Sequence, residues 1–432
     1  MVAAKGTSIG EERGQPRHGG ADMSVQIVII GGGFGGLEAA MTLAGRLRGK
    51  ASLTLIDRNA VHTFSPSIHE VVSGKTTTGE IQLSLQAVLE PAGVAFLQEA
   101  VRSIRPEQRT VDTAARQVVY DYLVIAAGAE SNTPGLPGAD AGAFTFRSPV
   151  QAERIQTELD RLLLEQGRVR IVLAGGGTEG VEVGGEIADR IDSRGRGKDL
   201  EEGEVSVSII EGQPRLLPCF PSGVGEFAGQ YLKGRGVTVL TGERIAALEP
   251  GQVTLQSGRS LRSDLLIWTG GIRPSALIRN LSLAKDRNGW LLVDEMLRCR
   301  DDARIFGVGD AVSIRGPEGT VPVPRLAYHA LDQAAVAGGN IASAVAGGEM
   351  QKYRPRQRRQ LISLGRNMGI SATAEGFVTG AWVVGLKKAV ERAHLLGYLG
   401  RPLVNGILSR IPGAGILDRL RSNSGRGGVS RD

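Results

Sequence analysis

The 432-residue chain has only two cysteines, Cys219 and Cys299, 80 positions apart. That spacing excludes a disulfide framework, a CxxC redox pair and a thiolate metal cluster. It points to a reducing, cytoplasmic setting, with both thiols read as small buried hydrophobes. No apolar run reaches the roughly 18 residues of a membrane-spanning helix. The first 23 residues lack the apolar core of an export signal, so a disordered leader is expected, with Met23 as an alternative start to Met1. Charge of one sign is missing from the body: the net +6 equals the excess of nine Lys and Arg over three Asp and Glu in residues 381–432. That basic tail calls for an anionic partner.

What the chain has in plenty is glycine, 62 residues of it. Its length fits two or three domains. The apolar run Val25–Ile30 reads as a buried parallel strand, and Gly31, Gly33 and Gly36 follow as G-x-G-x-x-G before a helix expected over Leu37–Leu47. A second strand, Ala51–Ile56, ends at Asp57, 21 residues beyond Gly36, where a ribose-binding carboxylate belongs. Strand, turn, helix, strand and acid in this order read as a dinucleotide site, with the pyrophosphate at the helix N-terminus.

The pattern recurs. Val169–Leu173 leads into Gly175, Gly177 and Gly180, a helix follows, and the strand Val205–Ile210 ends at Glu211, 31 residues after Gly180. The polar stretch 192–204 accounts for the longer interval. An acid at this strand end favours NADH, because a 2′-phosphate meets like charge there. Two such sites on one chain read as an electron relay between a resident and a visiting cofactor.

Further stretches make a resemblance specific: YDYLVIAAGAESNTPGLPG (120–138), DLLIWTGGIRP (264–274) and ARIFGVGDAV (303–312). With the two glycine motifs they resemble the FAD-dependent pyridine nucleotide–disulfide oxidoreductases. DRNAVHTFSPSIHE (57–70) and the C-terminal segments 353–372 and 377–400 narrow the resemblance to type II NADH dehydrogenases, the single-subunit NADH:quinone oxidoreductases. That resemblance implies an FAD site made of Gly31, Gly33, Gly36, Asp57, Val101, Gly128, Gly309 and Asp310. It implies an NAD site at Gly175, Gly177, Gly180, Glu211 and Gly270. It places acceptor binding at Ala327, Tyr328 and Asp332.

Two departures stand out. The family's A-Q-x-A-x-Q is here Ala327-Tyr328-His329-Ala330-Leu331-Asp332, with Gln333 one place late, so both amides are lost. The family's P-T-G-V-E is here Thr178-Glu179-Gly180-Val181-Glu182. Glu182 is read as positioning NADH or relaying a proton, against a plain acid at a helix N-terminus. His329 is the other catalytic candidate, for acceptor binding or proton transfer. His62 and His69 flank a loop expected near the flavin, and Glu186, one turn after Glu182, is expected to pack or pair.

The expected fold is α/β, with two Rossmann-like domains and a C-terminal amphipathic region. Boundaries are read as a leader (1–23), an FAD domain in two parts (24–148 and 271–348), an NAD domain (149–270), C-terminal strands and helices (349–422) and a disordered tail (423–432). In Trp382–Leu399, residues Trp382, Leu386, Ala389, Ala393, Leu396 and Leu399 form one apolar stripe, with Lys387, Lys388, Glu391 and Arg392 mostly elsewhere. Such a helix lies in an anionic membrane surface or docks on its own core or a dimer partner. The basic run 352–359 has one aromatic and reads as a solvated strand or a lipid-facing edge, with no nucleic acid expected. The activity implied is FAD-dependent oxidation of NADH with reduction of a membrane quinone, peripheral on the inner face of the cell membrane. Reduction of another small acceptor, or a redox-sensing flavoprotein with little turnover, remain the alternatives.

Overall fold

The computed structural model describes residues 24–133, 143–165, 168–195, 205–314 and 322–408. The expected leader, the end of the tail and most of the polar insertion lie outside these residues.

Alternating apolar strands and helices assemble two five-stranded parallel sheets that share the order of four strands and differ in the chain position of the edge strand. The first runs Ile305–Gly307, Tyr122–Ile125, Val25–Ile30, Ala51–Asp57 and Val94–Gln98. The second runs Ala143–Thr145, Leu265–Trp268, Val169–Ala174, Val205–Glu211 and Val237–Thr241. Its edge strand carries the second unit's sheet back to residue 143. Each unit also has a three-stranded antiparallel sheet, one opened by Val101–Arg105 and the other by Ile245–Glu249. The central strands are apolar and buried over Ile27–Ile30 and Ile171–Ala174, as expected of parallel strands covered on both faces.

The first unit is closed by the helix Ala327–Ala346, which lies along the helix Phe34–Leu47. Small residues allow the approach: a Cβ on Gly338 would stand 3.1 Å from Thr42. The strands Ala129–Ser131 and Ile272–Pro274 pair antiparallel and stitch the two crossings between units. Beyond residue 353 the chain adds the strands Gln360–Ser363, Gly369–Ala372 and Phe377–Gly380, then the helix Ala381–Leu408. Residues 351–359 form no regular strand, which corrects the strand reading of the basic run 352–359, and connect the helix Ala327–Ala346 to the strand Gln360–Ser363. No described helix is long and apolar enough to cross a membrane.

Candidate active site

The two glycine motifs form nearly identical cradles. Gly31 and Gly175 turn at φ +102° and +124°, backbone that side-chain-bearing residues avoid. A Cβ on Gly36 would lie 1.7 Å from the Gly31 carbonyl oxygen, and one on Gly180 would lie 1.9 Å from that of Gly175. Glycine at the motif's end is therefore what lets each helix meet its turn. The first helix starts at Phe34, earlier than expected, so Gly36 already sits inside it. Beside Gly33 and Gly177 a Cβ would meet only open space, which leaves room for a phosphate at each helix N-terminus.

The strand-end acids complete the match. Asp57 accepts from the Gly32 N–H at 2.6 Å, and Glu211 accepts from the Gly176 N–H at 2.7 Å. Each also takes a second N–H, from Asn59 and Gln213 respectively. A carboxylate has about four acceptor directions, so both acids keep capacity for ribose hydroxyls. These residues fit the sugar and pyrophosphate of a dinucleotide. Val101 opens its strand and packs against the same apolar cluster as Leu97, and Gly128 turns at φ +60° with open space beside it. Gly270 lies against the Trp268 ring, where a Cβ would approach to 2.9 Å.

Where the units meet, Arg147 reaches both. Its Nη1 lies 3.1 Å from Glu179 in the second motif's helix, and its Nη2 lies 3.5 Å from Asp310 of the Gly309-Asp310 turn. Gln333, one place late in its motif, accepts from the Gly309 N–H at 2.7 Å and locks that turn. It is buried there.

A cluster of buried charge joins both units to the C-terminal region. Glu182 is ion-paired with Lys387 of the C-terminal helix and accepts from the Ser363 N–H at 3.1 Å. His69 Nε2 is 2.7 Å from the Ser363 hydroxyl and 3.4 Å from Lys387, and its Nδ1 is 3.6 Å from Glu182. Burial, then the lysines Lys387, Lys75 and Lys388, push the His69 pKa well below its usual value, so it is neutral at pH 7. Burial raises the Glu182 pKa against the opposing pull of Lys387. Glu186 bonds the Ser73 hydroxyl at 2.5 Å, which bears out the packing and pairing expected of it. Lys388 lies 2.5 Å from Glu70 and 3.1 Å from Glu391; burial works against its charge, but these acids raise its pKa. His69, Glu70 and Glu186 hold ligand atoms within 4.8 Å of one another. Lys75, 3.2 Å from Glu70 and 3.4 Å from Glu186, already supplies a positive charge to both carboxylates.

His62 is fully buried beside the first cradle. Its Nδ1 is 3.0 Å from the Gly32 carbonyl oxygen and its Nε2 is 3.2 Å from Nε2 of His394. A carbonyl only accepts, so His62 carries its proton on Nδ1 and His394 donates to Nε2. Burial lowers the His62 pKa despite the Gly32 bond and Asp57.

The acceptor candidates separate. Tyr328 and His329 line a cavity of about 360 Å³ with Phe220, Val323, Pro324 and Arg358. His329 is anchored through Nδ1 to the Tyr353 hydroxyl at 2.8 Å. Asp332 is instead held by Arg358, at 2.7 and 2.9 Å, and does not line that cavity. Cys219 is exposed at its rim, which corrects the buried reading, whereas Cys299 is buried as expected.

The C-terminal helix docks by a mixed face, in which Val383, Val384 and Leu395 are buried beside charged residues. Lys387, Glu391 and Tyr398 are buried, whereas Trp382, Leu386, Leu396 and Leu399 face outward. Sequence reading missed the inward role of Lys387 and Glu391. Their i, i+4 spacing shows that they share a face, but amphipathicity assigns that face to solvent. Only the partners waiting on Ser67, Glu70 and Glu182 reverse the assignment.

Sequence and structure comparisons agree with this geometry. The family profile described as pyridine nucleotide-disulphide oxidoreductase matches residues 25–334. The type II NADH:quinone oxidoreductase of Haemophilus influenzae is 28% identical over 390 residues, covering 81% of this chain and 87% of that protein. The demethylphylloquinone reductase of Synechocystis is 30% identical over 357 residues, covering 80% and 85%. Among solved structures, NDH2 of Plasmodium falciparum in complex with NADH shares the fold at TM-score 0.79 and 19% identity, covering 90% of this chain and 99% of that one. The sulfide:quinone oxidoreductase of Aquifex aeolicus does so at 0.76 and 21%, covering 88% and 92%.

Proposed function

Because the chain belongs to the pyridine nucleotide-disulphide oxidoreductase family, we propose that it oxidises NADH and reduces a quinone, with FAD as its resident cofactor. The observation that carries this is the pair of matched cradles joined through Arg147. FAD would be held by Gly31, Gly33, Gly36 and Asp57, with Val101, Gly128, Gly309 and Asp310 along its length. NADH would dock at Gly175, Gly177, Gly180, Glu211 and Gly270. Bound FAD supplies the redox chemistry, taking a hydride and passing two electrons on. No side-chain nucleophile is required.

A quinone taking two electrons also takes two protons, and the chain's part is to hold them. Lys387, Glu182 and neutral His69, linked through Ser363, form a buried hydrogen-bonded set suited to that task. The 360 Å³ cavity offers apolar walls from Phe220, Val323 and Pro324 to a flat ring, with Tyr328 and His329 as polar partners. Ala327 is the first residue of the helix that carries both. Asp332 acts here by restraining Arg358.

The outward apolar stripe of the C-terminal helix supports a peripheral seat on an anionic bilayer, on the inner face of the cell membrane. A second copy of the chain is the other occupant of that stripe. Replacement of both family glutamines favours one further reading, a different small acceptor.

The test is the visible spectrum. The purified protein should show bound flavin, bleach on NADH, and recover its colour on addition of a quinone, faster with lipid vesicles present. A flavin bleached by NADH but reoxidised only by ferricyanide would transfer the argument to the other acceptor. Protein unable to take up flavin would end both readings.

A further inference from the structure

The two cradles differ at one position in a way the shared motif does not require. In the first, the residue before the closing glycine is Gly35, and the helix has no acid in its first turn. In the second, the equivalent residue is Glu179, an acid in the first turn of the helix. An acid at a helix N-terminus suits the dipole. At a helix that receives a pyrophosphate, however, it sets a like charge beside the ligand. Glu179 therefore needs both a purpose and a counter-charge.

The counter-charge is Arg147. It reaches Glu179 from the loop before the helix Pro149–Glu165 and touches Asp310 with its other nitrogen. Glu179 thus stands at the junction between the units, on the side of the second cradle that faces the first. Hydride can pass between two cofactors only where they meet, so the nicotinamide end of NADH must come to this junction. The nicotinamide ring is neutral in NADH. When its C–H bond breaks and the hydride leaves with both electrons for the flavin, the ring becomes cationic. A fixed anion beside it favours the oxidised ring.

We propose that Glu179, held in place by Arg147, is the residue that sets the charge preference of the nicotinamide site, favouring the cationic ring of NAD⁺ over the neutral ring of NADH. Glu179 lowers the cost of charge developing on the ring during hydride departure, and it slows release of the product. Arg147 tempers the effect by sharing the carboxylate, so removing the guanidinium strengthens the preference. The carboxylate is half-exposed, with Asp310 and Glu182 as its nearest like-charged influences. Partial desolvation, set against Arg147, raises its pKa.

This inference rests on the reading that the second cradle takes NADH, and the experiment separates the two. Purified FAD-loaded protein is titrated calorimetrically with NAD⁺ and with 1,4,5,6-tetrahydro-NAD, whose ring is neutral and gives no hydride. Glu179→Gln should weaken NAD⁺ about five- to tenfold, the effect of one partly screened charge, and leave the neutral analogue within about twofold. Arg147→Gln should shift the ratio of the two affinities the opposite way, and it provides the answer should Glu179→Gln fold poorly. Equal changes for both ligands, or none, would overturn the assignment of Glu179. Wild-type protein that holds flavin but is not bleached by NADH would instead overturn the parent reading.

Discussion

The two nucleotide cradles are alike in their walls and unlike in their cover. The closing-glycine approach and the hydrogen bond that each loop N–H donates to its strand-end acid agree between them to a few tenths of an ångström. Around the first, however, the protein closes in. His62 grips the Gly32 carbonyl, His394 of the C-terminal helix grips His62, and Tyr398 of that helix bonds Glu38 at 2.7 Å. In the second, the Gly176 carbonyl accepts instead from the Leu217 N–H at 2.8 Å, and among the described residues no side chain of the C-terminal helix bonds that loop. On the proposed reading, this unequal enclosure would let one motif serve a cofactor that stays and another that comes and goes.

The sharpest way to break the comparison is to fill the closing glycines in turn. Gly36→Val and Gly180→Val each drive side-chain carbon into a backbone carbonyl, displacing the helix from its turn. The first should yield colourless protein. The second should purify yellow, yet be bleached by NADH on the order of a hundredfold more slowly, the scale of a misplacement of about 1 Å. Stopped-flow absorbance reads both, and loss of colour in Gly180→Val would show that the cradles do not act separately.

A smaller effect should follow from Glu211→Gln. It keeps an acceptor for the Gly176 N–H but removes the charge that opposes a 2′-phosphate. The ratio of kcat/KM for NADH to that for NADPH should fall about tenfold, the scale of one charged contact. An unchanged ratio would place cofactor choice elsewhere.

The smallest expected effect is on pH, and it belongs to the first cradle alone. The folded-state pKa of His62 is lowered, so the unfolded chain binds more protons near pH 6, and the contribution of His62 to stability rises with pH. That contribution is complete above the unfolded value of about 6.5 and is lost as pH falls below it. His62→Gln keeps a donor for the Gly32 carbonyl and does not titrate. Relative to that variant, wild-type protein should lose about 1 kcal/mol between pH 7 and 5, measured by denaturant melts and matched by faster flavin release. Parallel curves would remove His62 from the account.

Much of this organisation could be read from the chain in one dimension. Each cradle is a local object: a strand, a turn and a helix within about 12 residues, followed by one acid at the end of the next strand. Its demands on backbone geometry name the residues directly, which is why Gly31, Gly36, Asp57, Gly175, Gly180 and Glu211 all lie where the spacing puts them. The start of the first helix was less legible, because a glycine-rich turn argues against helix by propensity, and tertiary contact overrides it.

What spacing could not reveal is which charges are buried. Lys387 and Glu391 read as lying off the apolar stripe, and that stripe as the face for a membrane surface, the core or a dimer partner. Their partners, Glu182 and Ser67, are 205 and 324 residues away, so no local pattern announces them. Nor does any pattern join Glu179 to Asp310 through Arg147. Sequence by itself determined the two cradles, because phosphate recognition by a helix N-terminus is satisfied within one strand–turn–helix unit. Only the tertiary structure decided the enclosure and the buried charges, because a charge leaves water when distant elements bring it a partner, and that pairing exists only once the chain has folded.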